Sequence, residues 1–91
     1  MKGYEFTVIL SVDDELTDKG LTFINDEFAK NNVNIIKQED LGVKLLAYPI
    51  KKQDKGHYVY FEIEAEPNCI NSINNEFLLQ GSILKFLFVS K

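Results

Sequence analysis

Lysine and tyrosine crowd into one short stretch of this chain. Lys44, Lys51, Lys52 and Lys55 are interleaved there with Tyr48, Tyr58 and Tyr60. Ammonium groups neutralise phosphates, and tyrosine rings stack on bases or on a partner, so the pattern points to RNA or protein contact. The competing reading is a solvated hairpin whose tyrosines simply cover a sheet. Groups for catalysis are scarce. His57 is the single histidine, which excludes an imidazole-based metal cluster and fits a surface or half-buried structural role. Cys69 is the single cysteine, placed where a helix terminus favours the thiolate, but it has Glu66 nearby and no identifiable base. The five glycines are scattered singly, so no loop is built to cradle a phosphate. No catalytic residue, metal ligand or cofactor is expected.

Length and charge narrow the classes further. At 91 residues the chain is one domain, 1–91, large enough to bury a core without staples. A lone cysteine forms no internal disulfide, and neither a signal-peptide pattern nor a membrane-length apolar run is present, so a reducing, cytoplasmic compartment is expected. The net charge is -4 and every basic side chain is lysine. Whole-protein attraction to nucleic acid is therefore excluded, and any RNA contact has to come from a local patch.

The elements that position these residues follow from periodicity. Tyr4, Phe6, Val8 and Leu10 alternate with Glu5, Thr7 and Ile9, which reads as a strand with one buried face. After a polar turn over Ser11–Asp14, a helix is predicted to start at Thr17 and Asp18, to bury Leu21, Ile24 and Phe28, and to end at Asn31–Asn32. Gly20 inside it is a weak point, costing about 1 kcal/mol against alanine. A second strand opens at Val33–Gln38, bends or bulges at Glu39–Asp40 before Leu41–Gly42, and resumes from Lys44 to Ile50. Pro49 lacks an amide proton, which assigns this strand to a sheet edge. Asp54-Lys55-Gly56 supplies a turn signal, and a returning strand begins at His57, with Val59, Phe61, Ile63 and Ala65 inward and Tyr58, Tyr60, Glu62 and Glu64 outward. Pro67 suits a first helical turn, Ile70, Ile73 and Phe77 form the apolar stripe, and Gly81 is the stop. Ile83–Val89 is apolar on both faces, which reads as a central strand. The order βαββαβ is an α+β, ferredoxin-like arrangement, a four-stranded antiparallel sheet with two helices packed on one face.

Tyr4-Glu5, Leu41-Gly42, Leu46-Ala47-Tyr48-Pro49-Ile50 and then Lys52, Gly56 and Tyr58 resemble the signature of the bacterial ribosomal protein S6 family, over essentially the whole chain from Tyr4 to Val89. The resemblance implies a structural, non-catalytic component of the small ribosomal subunit. It implies binding to the central domain of small-subunit rRNA together with ribosomal protein S18, a partnership that relieves the charge problem of an acidic RNA-binding chain. Residue by residue, it puts Lys2 beside Tyr4, Lys44 on the edge strand, and Tyr48 and Lys51 on one RNA-binding surface; Lys52 and Lys85 complete the set. Leu45, Tyr60 and Leu87 are left for the partner protein. The long acidic C-terminal tail common in the family is not expected, since the chain stops at Lys91. Missing arginine removes bidentate phosphate recognition.

Two other classes share this fold plan. An acylphosphatase-like hydrolase would want an anion-binding arginine, and this chain has none. A small ligand-binding regulatory module is compatible with the pattern and predicts self-association and stabilisation by a ligand.

Overall fold

A computed structural model describes residues 2–50 and 52–90, apart from the side chain of Asp14. The chain runs β1 (Lys2–Leu10), α1 (Asp14–Lys30), β2 (Asn34–Ile50), β3 (Gln53–Ala65), α2 (Pro67–Leu78) and β4 (Ile83–Ser90). The strands form one antiparallel sheet in the order β2-β3-β1-β4, with β1 and β3 at its centre.

The alternation in β1 and β3 sends Phe6, Val8, Leu10, Val59, Phe61 and Ile63 under the helices, where each is at most 1% exposed. Ile24 and Phe28 from α1, and Ile73 and Phe77 from α2, close the core over them. Phe6 is its hub. Its ring lies 4.5–6.2 Å, centroid to centroid, from those of Phe28, Phe61, Phe77, Phe86 and Phe88.

Three expectations are corrected. Helix α1 begins at Asp14, not at Thr17, because Asp13 caps it: Oδ1 of Asp13 accepts the Leu16 amide at 3.3 Å. Thr17 is instead buried inside the first turn, and its hydroxyl donates to the carbonyls of Ser11 and Asp13. The hairpin turn does not use Asp54-Lys55-Gly56, which belongs to β3; β2 ends at Ile50, and Lys52 has a left-handed φ of 64°. Finally, β4 is an edge strand, not a central one. Its second apolar face, carrying Leu87 and Val89, is exposed where no helix covers the sheet.

The expected bulge is present. Pairing of β2 with β3 slips between Asp40 and Gly42, where Gly42 has a φ of 82° that favours glycine. Oδ1 of Asp40 accepts the Gly42 amide at 2.8 Å and sits 2.7 Å from Nε2 of His57 on β3. The Gly42 amide first, and His57 second, hold the Asp40 carboxyl below its ordinary range.

Candidate nucleic-acid and partner interface

The sheet face turned away from the helices is where the singled-out side chains gather. Register sets them in rows across β3, β1 and β4. Tyr58, Ile9 and Lys85 form one row, Tyr60, Thr7 and Leu87 the next, and Glu62, Glu5 and Val89 the third. On β2, Lys44 pairs with Gly56 and lays its ammonium 5.6 Å from the centre of the Tyr58 ring, a cation–π contact. The face is therefore polarised. Lysine, aromatic and aliphatic groups occupy the hairpin end, and Glu5, Glu62 and Glu64 the opposite end, where Lys37 opposite Glu62 is the one lysine among the described residues of that row.

The hairpin end is more than a flat surface. Leu46, Ala47, Tyr48 and Ile50 from β2 line a shallow groove of about 120 Å³ with Ile9, Tyr58 and Lys85. Two features hold the hairpin there. Gln53 Oε1 accepts from the Ser11 hydroxyl at 3.2 Å and from the Val12 amide at 3.4 Å, tying the tip to the end of β1. Gly56 is buried on the open face, and a Cβ at that position would run into Cγ2 of Ile9 and approach Cδ2 of Leu46 at 3.3 Å. Only glycine allows Ile9 and Leu46 to close over the backbone there.

Of the residues expected to touch RNA, the structure brings Lys44, Tyr48 and Lys85 together around this groove. Lys52 is exposed at the nearby turn, and Lys51 lies outside the described residues. Lys2 is exposed but stands seven positions from Ile9 along β1, about 23 Å away at strand rise. Tyr4 belongs to the core and is 8% exposed, so its ring faces the helices. Of the residues expected to meet a partner protein, Tyr60 and Leu87 share a row. Leu45 alternates to the face opposite Lys44 and is 72% exposed. Sequence reasoning missed Ile9 and Leu46. Ile9 did leave a signal, as the one aliphatic residue among the polar positions of β1.

Comparison with known proteins fits this picture. Residues 3–90 match the family model described as ribosomal protein S6. The small ribosomal subunit protein bS6 of Treponema denticola is 36% identical over 89 residues, covering 98% of this chain and 96% of that one. Its namesake from Phytoplasma mali is 33% identical over 93 residues, covering 100% and 99%. The crystal structure of the 30S ribosomal protein S6 from Thermotoga maritima superposes with a TM-score of 0.89 at 18% identity, covering 99% of this chain and 87% of that one, which establishes the shared fold. In fold and in sequence alike, this chain belongs to the ribosomal protein S6 family, structural, non-enzymatic components of the small ribosomal subunit.

Proposed function

We propose that the chain binds the central domain of small-subunit rRNA jointly with ribosomal protein S18, through the hairpin end of the open sheet face. The observation that carries this reading is the convergence of Lys44, Tyr48 and Lys85 around exposed aliphatic groups in a chain whose net charge is -4. Three lysines, Lys44, Lys85 and Lys52, neutralise too few phosphates to hold RNA strongly at physiological salt. They do fix orientation, while a basic partner supplies the remaining charge. The row of Tyr60, Thr7 and Leu87, continuous with the groove, gives that partner an apolar seat beside the lysines. Lys44 covers one side of the Tyr58 ring, so recognition at this end rests on phosphate and shape rather than on a base stacked there. The groove, at about 120 Å³, and the adjoining open hollow of about 250 Å³ beside Thr7 and Leu87 each fall short of the roughly 300 Å³ at which ligand pockets begin, which disfavours a small-molecule role at either one.

The test is a titration of labelled central-domain rRNA with this protein, alone and with equimolar S18, at two salt concentrations. Tight binding only with the partner, weakened by Lys44→Glu or Lys85→Glu, supports the reading. Partner-independent behaviour, with both variants binding like the parent, removes it.

A further inference from the structure

The two edges of the sheet are built differently. The β2 edge carries Lys37, Glu39, Asp40 and Lys44, a bulge at Asp40–Gly42 and Pro49, all of which discourage a second strand from pairing there. The β4 edge has none of these beyond Lys85. Its pairing with β1 is regular from Lys85 to Ser90, and Leu87 and Val89 are 59% and 45% exposed. Helix α2 flanks the same edge. Leu78 and Leu79 at its end are 66% and 78% exposed, and a groove of about 330 Å³ runs between Asn74, Phe77 and Leu78 on α2 and Ile83–Phe86 on β4. From Pro67 to Ser90 the only charged residues are Glu76 and Lys85, in a chain that is 26% charged. Depletion of charge with exposed aliphatic groups is the composition of an interface core.

We propose that a second copy of this chain pairs with the free edge of β4, antiparallel about a two-fold axis, joining two four-stranded sheets into one of eight. A two-fold axis makes the patch its own complement, and the sequence of β4 permits this. Directly opposite residues in an antiparallel pair share a face. With the axis at Leu87, that residue meets its own copy, Phe86 meets Phe88, and Lys85 lies opposite Val89, so the two lysines stay apart. The regular part of the edge is about 20 Å long, and sheet plus helix layer is about 20 Å deep. The contact therefore buries roughly 400 Å² per copy, about half of what a stable specific interface buries, which makes the dimer weak and reversible. This inference does not depend on RNA binding.

Sedimentation velocity of the purified full chain across about 10 µM to 1 mM tests it, alongside amide hydrogen exchange at both ends of that range. The expected result is a mass rising from 10.5 kDa towards twice that value, with β4 amides slowing as concentration rises. Leu87→Lys, which sets a charge at the axis on an already exposed position, holds the protein at one chain per particle; Ile36→Lys on the opposite edge, 60% exposed, leaves the dimer intact. The proposal is overturned if the parent stays monomeric at 1 mM. It is equally overturned if Ile36→Lys, and not Leu87→Lys, dissolves the dimer, or if β4 amides slow only when another ribosomal component is added.

Discussion

Replacing Gly56 with alanine tests the packing that holds the hairpin against the sheet. Alanine normally gains over glycine in a strand, because it restricts the unfolded chain. Here the added methyl meets Cγ2 of Ile9 well inside the ordinary carbon–carbon separation of about 3.5–4.0 Å, and Cδ2 of Leu46 at 3.3 Å. Ile9 cannot swing clear easily, since a β-branched side chain has a stiff χ1 and this one lies between β3 and β4. The strands must shift instead, which costs about 1–3 kcal/mol in overpacking. With a urea m-value of roughly 1–1.5 kcal/mol/M for a chain of this size, the midpoint of unfolding should fall by about 0.7–3 M. The diagnostic is a double-mutant cycle. Ile9→Ala alone is destabilising, but in its presence Gly56→Ala should lose most of its cost, giving a coupling of about 0.5–3 kcal/mol. Additive effects, or a Gly56→Ala protein as stable as the parent, would refute the claim that this glycine is required by close approach.

Other perturbations have separate readouts. Phe6→Ala, which removes the ring that five other phenylalanines surround, should cost about 3–5 kcal/mol in urea or thermal unfolding. Asp13→Ala deletes the cap of α1 and should cost about 1 kcal/mol in the same assay, whereas a helix starting at Thr17 would leave that substitution neutral. Asp40 has a carboxyl held below its ordinary range, so its contribution to stability is present above its unfolded value of about 4 and is lost as pH falls through the lower folded value. The stability gap between the parent and Asp40→Asn should therefore close below about pH 4 in urea titrations; because the side chain is 61% exposed, solvent screening keeps that gap small.

What the sequence made legible was local. Period-two alternation placed every inward residue of β1 and β3 correctly, Pro67 marked the first turn of α2, and Glu39–Gly42 announced the bulge. What it hid depended on distant neighbours. Gly20 reads as a flaw in α1, yet a Cβ there would stand 2.8 Å from Cδ2 of Leu10 and 3.2 Å from Oγ of Ser82, so the glycine lets the helix lie close against those two side chains without their having to move. Gly56 read as a turn residue for the same reason: its requirement comes from Ile9, 47 positions away in the chain. The two-faced apolar pattern of β4 was ambiguous in principle, since a central strand and an edge strand with an exposed apolar face carry the same residues. Tyr4 was drawn into the site by resemblance, against its own alternation with Phe6 and Val8, and the alternation was the better guide.

Under the joint-binding reading, the polarity of the open face sets how strongly an acidic chain would hold RNA. Glu5 is four positions from Ile9 along β1, so its row lies about 13 Å from the row of Lys85. At physiological ionic strength the screening length is about 8 Å, and a phosphate seated at Lys85 feels little of that carboxylate. At 0.01 M salt the length grows to about 30 Å. A unit charge 13 Å away in water then contributes roughly 0.2 kcal/mol against each phosphate, or roughly 0.6 kcal/mol over about three phosphates. Under the joint-binding reading, Glu5→Gln should therefore tighten the rRNA complex about 2- to 3-fold at 0.01 M salt and less than about 1.5-fold at 0.15 M, measured by filter binding with the partner present. A salt-independent effect would mean that Glu5 touches the RNA or the partner directly. No effect at either concentration would mean that the RNA does not sit at the lysine end of this face.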